Sequence, residues 1–459
     1  MYKPTLHTNP DARLYKCGEI AIAPKPCTKQ AIVRCAMFAC IFSLIVGCAS
    51  KGGYVLNLMP SPDIFEEGSI SPFIDSDEKM EKPAHTMLYA TDRRPSKKGA
   101  REKYYRSERG ALLRLGEARI ELGHEDMTWE EARRVSLLKN RPGKYPLAIA
   151  GITEFGVLNR TLTMFDDPEI TPDDPIPAKE FSDAINKKLT TSRSKDIFIY
   201  VHGYKVTFEN PVLVASELWH FMGYQGAFVA YSWPSTPKKT AYFADLETAR
   251  YSARNFRIFL QYLAEETDAR RIHIVGYSAG TRMVLRTLEQ LALMNVGSTK
   301  EEIGRRLRIG NVCLLGSDVD REMVATYLVD GLLKIPTTLS FYQSDHDKAL
   351  GMSRWVMANE RMGQASGKKP LSSSAQDFLR IAKDLNVISV TDAAGADSGN
   401  GHGYFRKSPW VSSDVLMTLM YGLSPEERGL VRIEDSHIWT FPKDYIQRLR
   451  AALTKAYTP

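Results

Sequence analysis

The rhythm of hydrophobic and polar positions changes along the chain, and the changes divide it. Residues 35–49 (CAMFACIFSLIVGCA) form an uncharged apolar run between Arg34 and Lys51. From Lys51 to about Ala84, Gly, Pro, Ser and acidic residues prevail, which is the composition of a tether. From His85 onward the text becomes patterned. Residues 86–90, 112–122 and 147–152 read as strands. Residues 128–138 read as a short helix with Thr128 as cap and Glu130 and Glu131 in its first turn. The stronger pattern starts at Asp196. Residues 197–201 (IFIYV) are an unbroken apolar run, as in strands buried on both faces. Asn210 as N-cap and Pro211 in the first turn open a helix to about Phe221. After a strand at 227–231, Leu246, Ala249, Ala253, Phe256, Leu260 and Leu263 mark a long helix by spacings of three and four. Another strand spans 271–275, and Val284, Leu288 and Leu291 mark the helix after it. Strands at 312–315, 338–342 and 387–390 follow, the last of them ending the sheet. This alternation predicts an α/β fold, a parallel sheet covered on both faces. Loops at 236–244 and 362–374 are candidates to cap its rim.

Composition narrows the classes. The chain has 459 residues, 43% hydrophobic and 25% charged, the balance of an ordinary folded protein rather than a disordered or fibrous one. The net charge is +7, but residues 1–47 hold six Lys/Arg against Asp11 and Glu19, so the remainder carries only +3. That is no nucleic-acid-binding signature. Five of the six cysteines (Cys17, Cys27, Cys35, Cys40 and Cys48) lie in the first 48 residues, and only Cys313 lies beyond. No disulfide framework can hold the body together, and no CxxC zinc spacing occurs.

The apolar run at 35–49 is shorter than the ~20 residues that span a bilayer, and matches the apolar segment of a secretory signal. It ends in Ile45-Val46-Gly47-Cys48, which resembles the lipobox of bacterial lipoproteins. That resemblance implies cleavage before Cys48 and acylation of its thiol and new amino terminus, enough chains for stable anchoring. Ala49-Ser50 after the cysteine resembles the pattern sorted to the outer membrane, facing the periplasm. The expected organisation is a signal at 1–47, a lipidated tether at 48–84, and a main α/β domain at 85–459 with an N-terminal elaboration and its core at about 190–425.

The sharpest motif is Gly276-Tyr277-Ser278-Ala279-Gly280, which directly follows an apolar strand and precedes a good helix. A nucleophile elbow requires that placement, because the serine sits in a tight turn with no room for neighbouring β-carbons. The helix amino terminus offers partial positive charge to a developing oxyanion. Val201-His202-Gly203-Tyr204 ends an earlier strand, and resembles the HG pair that in many α/β-hydrolases turns the next backbone N–H inward. The N–H groups of Tyr204 and Ala279 are the expected oxyanion donors, and His202, preceding the serine, is expected to be structural. The order nucleophile, acid, base leaves His346, His402 and His437 as bases. His402, in the GNGHG loop after the 387–390 strand, is the best placed, and His437 reads as packing or surface. Asp345 and Asp347 both follow the 338–342 strand and either could orient the base, with Asp318 and Asp320 in reserve. Asp318, Asp320, Asp345, His346 and Asp347 could also converge on a divalent metal, but nothing in them has a metal-specific spacing.

With these residues in place the chain resembles the α/β-hydrolase superfamily. It looks similar, more narrowly, to a bacterial family of uncharacterised esterase- or lipase-like proteins, often lipoproteins. The matching segments are IYVHGYKVTFENP (199–211), YSWPS (231–235), HIVGYSAG (273–280), LLGSDVDREMV (314–324), SFYQSDHDKAL (340–350) and GHGYF (401–405), with LMPSPDIF and MLYATDR upstream. The resemblance implies a triad of Ser278, Asp347 and His402 acting on a small-molecule or lipid ester, without a cofactor. The chain departs from the pattern at Lys205, where the family commonly has Asn, and at Tyr277, where it often has His. Amidase, thioesterase or acyltransferase chemistry on the same elbow, or a non-catalytic envelope scaffold, are the alternatives.

Overall fold

The computed structural model describes residues 54–66, 70–73, 83–164, 174–357, 361–364, 377–378, 380–433 and 436–457. The signal at 1–47, Cys48 and most of the 362–374 loop lie outside them. Among the described residues no helix is long and apolar enough to cross a membrane.

Twelve strands form one sheet among the described residues. They are β1 (Leu56–Asn57), β2 (Ala84–Pro95), β3 (Tyr105–Leu122), β4 (Pro146–Val157), β5 (Ile197–Val201), β6 (Ala227–Ser232), β7 (Ile272–Tyr277), β8 (Ile309–Leu315), β9 (Thr338–Gln343), β10 (Leu385–Ser389), β11 (Val431–Arg432) and β12 (Ile438–Thr440). Their order across the sheet is β1-β4-β3-β2-β6-β5-β7-β8-β9-β10-β12-β11. Everything from β2 to β12 in that order pairs in parallel. The β1-β4-β3-β2 meander and β11 pair antiparallel.

Period-two alternation explains the two cores. In β5, Phe198 and Tyr200 face one side while Ile197, Ile199 and Val201 face the other. The first side is covered by the helices Glu209–Phe221, Pro409–Tyr421 and Tyr445–Tyr457. The second is covered by Tyr242–Glu266 and Gly280–Met294. Both faces of every central strand are therefore buried, as their unbroken apolar runs require.

Four expectations are corrected. The tether does not extend to residue 84: Leu56, Leu58, Met59, Ile64, Phe65 and Phe73 are all buried in the first core, and Leu56 and Asn57 pair with β4. Pro, Ser and acidic residues between them left these apolar positions without a regular spacing. The parallel sheet also reaches beyond 190–425, to β2 and β12, so the 387–390 strand is not the last. Finally, the helix after β5 starts at Glu209 with Phe208 as cap. Asn210 makes no cap hydrogen bond there; its side-chain N–H donates to the Tyr54 hydroxyl at 2.6 Å. Thr128, by contrast, does accept from Glu131 N–H as cap of Trp129–Ser136.

One buried charge on β2 sets a pH dependence. Asp92 is fully buried, and burial pushes its carboxyl from an ordinary 3.8 up to about 6. Its Oδ1 has no hydrogen-bond partner, and Asn255 Nδ2 approaches Oδ2 only to 3.5 Å. With the folded value above the unfolded one, the folded state binds the extra proton between those pH values, so this group's contribution to stability falls as pH rises from about 4 to 6. Asp92→Asn should therefore raise the unfolding free energy by about 3 kcal/mol at pH 8 and change it little at pH 4. Urea unfolding at the two pH values checks this; an equal effect at both would contradict it.

Candidate active site

The parallel register brings five strand ends to one rim. Val201 of β5 pairs with Gly276 of β7, Gly276 with Leu314 of β8, Leu315 with Tyr342 of β9, and Tyr342 with Ile388 of β10. The residues just beyond these pairs are His202, Ser278, Gly316, Ser344 and the loop that carries His402.

Ser278 sits between β7 and the Gly280–Met294 helix with φ of 52°, a left-handed conformation uncommon for a residue with a side chain. Its N–H donates to Leu315 O at 2.9 Å, and its carbonyl accepts from Thr281 N–H and Oγ1. The turn is closed against the β5 loop: a β-carbon on Gly280 would lie 2.1 Å from His202 O, so only glycine fits. Ser278 Oγ lies 2.8 Å from His402 Nε2, and His402 Nδ1 lies 2.6 Å from Asp347 Oδ2. Asp347 Oδ1 accepts from Leu350 N–H at 2.9 Å, at the start of the Lys348–Met357 helix, where helix N–H groups favour negative charge. All three side chains are nearly enclosed; Ser278 itself is 5% exposed.

Neither Ala279 N–H nor Tyr204 N–H finds an acceptor among the described residues. Ala279 caps the helix that follows Ser278, so its N–H lies at the positive end of that helix. His202 is fully buried, stacked on Trp233 with ring centroids 5.0 Å apart. Its Nδ1 lies 2.6 Å from Gly203 O and its Nε2 3.1 Å from Trp233 O, while the Trp233 indole N–H donates back to His202 O at 2.7 Å. Burial, with the positive charge of Arg93, holds its pKa well below the ordinary histidine value, and both its ring nitrogens face backbone carbonyls rather than Ser278 Oγ. The VHGY and YSWPS motifs are thus two halves of one brace.

The other candidates go elsewhere. Asp345 is exposed, and its N–H donates to Thr391 Oγ1. Asp320 caps the Arg321–Val329 helix through Glu322 and Met323 N–H. Asp318 accepts from the hydroxyls of Tyr242 and Ser353, at 2.6 Å each. His437 is half-buried beside β12, with Nδ1 3.1 Å from Arg432 Nη1. The expected 236–244 loop ends early, since the Tyr242–Glu266 helix begins within it, and Tyr242 packs edge-on against Tyr204 at 5.2 Å.

Three residues shape the site in ways that sequence reasoning did not give. Tyr277, the departure from the family pattern, packs its ring 5.0 Å from that of His402 and donates its hydroxyl to His402 O at 3.4 Å. Gly316, with φ of 55°, lies under the imidazole; a β-carbon there would come within 3.0 Å of His402 Cε1. Arg93, fully buried, donates from Nε to Ser232 Oγ, from Nη1 to Ser235 O and from Nη2 to Val206 O, fixing the loop after Tyr204. Its signal in the sequence was its place in MLYATDR. Lys205 adopts φ of 69°, which explains why Asn is common there, since Asn tolerates the left-handed region better than Lys. Lys205→Asn should raise stability by about 1 kcal/mol in thermal unfolding; a lower midpoint would contradict this reading of the loop.

Comparison with known proteins gives a family and little else. No curated protein matches the chain. Among solved structures, esterase B from Lactobacillus rhamnosis with a C4-C4 SN3 tributyrin phosphonate is similar at 12% identity and a TM-score of 0.29, over 58% of this chain and 80% of that one. A C6-C4 SN3 inhibited form of the same esterase gives 12% and 0.26, over 50% and 78%. Residues 177–419, more than half of the chain and including Ser278, Asp347 and His402, match one family. The chain belongs to the alpha/beta hydrolases of unknown function, family DUF900.

Proposed function

We propose that this protein is a serine hydrolase of carboxylic esters, anchored by acylated Cys48 to the bacterial envelope at the outer membrane and facing the periplasm. The observation that carries the catalytic part is the continuous Ser278–His402–Asp347 hydrogen-bond relay, with two unpaired N–H groups beside the serine. In this reading Ser278 Oγ attacks the ester carbonyl while His402 Nε2 takes its proton, and Asp347 holds the imidazole and stabilises the imidazolium. Ala279 and Tyr204 N–H donate to the tetrahedral oxyanion. The alcohol leaves with the proton from His402, and water, deprotonated by the same nitrogen, releases the acid. No step calls for a cofactor. The anchoring part rests on the apolar run ending in Gly47-Cys48.

Fluorophosphonate labelling of a soluble form beginning after Cys48 tests the catalytic part, because the probe reacts only with an activated serine. Labelling of the parent and none of Ser278→Ala is expected. A well-folded parent that does not label would overturn the proposal in favour of a binding role.

A further inference from the structure

A second feature lies on the flank of the elbow helix. Between the helices Tyr242–Glu266, Gly280–Met294 and Arg321–Val329 runs a groove of about 550 Å³, with Arg250, Arg282 and Arg286 in its wall and no carboxylate among its lining residues. Arg282 stands in the first turn of the helix that follows Ser278, and its side chain is only 9% exposed. Its Nε and Nη2 have no hydrogen-bond partner.

The nearest carboxylate does not satisfy it. Asp318 Oδ2 is 3.5 Å from Arg282 Nε, beyond a charge-assisted hydrogen bond, because the Tyr242 hydroxyl occupies that oxygen. A second buried guanidinium, Arg361, stands 3.6 Å from Oδ1, which the Ser353 hydroxyl occupies, and its Nε and Nη2 are also unpartnered. Two enclosed cations thus share one carboxylate whose lone pairs go to neutral hydroxyls. The result is an excess positive charge and idle donors, which burial makes costly without an anion.

We propose that this groove is a binding site for a phosphate group borne on a small organic body. Guanidinium forks match phosphate oxygens in pairs, so Arg282 and Arg250 suit a dianion, while Arg286 is already held by both oxygens of Glu289 at 2.7 Å and only adds to the wall. Gln290 and Tyr327 add polar groups at the wall, while Val319 and Met323 give the organic part an apolar surface. A volume of about 550 Å³ exceeds what a bare phosphate fills and lies in the range of small-ligand sites. The proposal does not depend on the esterase reading, because binding is measured without turnover.

The phosphate can come from a soluble monoester or from a lipid headgroup, and the test separates them. Calorimetric titration of the full-length chain with inorganic phosphate and with glycerol 3-phosphate reads the soluble source. Co-sedimentation with phosphatidylcholine vesicles, with and without phosphatidylglycerol, reads the lipid source. Saturable binding in either arm, weakened at least tenfold by Arg282→Gln and by Arg250→Gln, is the expected result. Arg250 is exposed at the groove's edge, so its variant decides the matter should Arg282→Gln fail to fold. No binding in either arm, or binding that Arg250→Gln leaves unchanged, would overturn the site and leave water as the partner of the idle guanidiniums.

Discussion

Ser278→Ala and His402→Ala should each lower kcat for a short acyl ester by about 10⁴–10⁶-fold, and the double variant by no more than either alone. The non-additivity follows from the geometry. Ser278 Oγ has a single nitrogen positioned to take its proton, at 2.8 Å, so the base has no function without the nucleophile and the hydroxyl is a poor nucleophile without the base. Asp347→Asn should cost about 10⁴-fold, because the amide can donate to Nδ1 where the carboxylate accepts from it, which moves the imidazole proton to the nitrogen that must accept from the serine. Activity should remain above the uncatalysed rate in every case, since Ala279 and Tyr204 donate from the backbone and survive all three substitutions. Steady-state kinetics on the purified variants, with matched unfolding midpoints, make the test. Losses that multiply in the double variant, or a single loss below tenfold, would show that the relay is not a catalytic unit.

How much of this was legible in the sequence depended on the range of the interactions involved. The strands β5 to β10 were legible because burial on both faces leaves continuous apolar runs, and their bounds move by only a few residues in the structure. The elbow was legible because strand, turn and helix adjoin in sequence. Ser278, His402 and Asp347 are 124 and 55 positions apart along the chain in their two contacts, and chain order and the likeness of short motifs pointed to them. What stayed hidden was of another kind. Gly316 is one glycine among 31, and only the imidazole lying above it shows why it must be glycine. Arg93 makes its hydrogen bonds with residues 113 to 142 positions away, and its place in MLYATDR marks the residue without revealing a buried cation. The segment at 54–73 read as a tether because Pro, Ser and acidic residues break up its apolar positions and leave no period, while burial depends on which positions are apolar. The short β11 and β12 carry too few residues for any period to show.

A chain shortened to begin at residue 85, the boundary that composition indicates, should fail to fold. Leu56, Leu58, Met59, Ile64, Phe65 and Phe73 are each at most 7% exposed. At about 1.5–3 kcal/mol apiece, removing them forfeits on the order of 10 kcal/mol, an upper estimate that still rivals the 5–15 kcal/mol by which whole domains are stable. Polar losses add to this. Glu217, fully buried, accepts from Met59 N–H and from Arg406, and Arg406 also donates to Asn57 O. Arg450 donates to the carbonyls of Asp63 and Glu66. Because Arg406 stands four residues after His402, the same contacts fix the loop that carries the proposed base. Circular dichroism and gel filtration of chains beginning at residues 49 and 85 should show a cooperative monomeric transition for the first and aggregation for the second. Phe65→Ala in the longer chain isolates the packing term and should cost about 3–5 kcal/mol. If the shorter chain instead unfolds cooperatively with an unchanged midpoint, these residues lie on the surface of the fold rather than in its core, and the base loop must be held by other contacts.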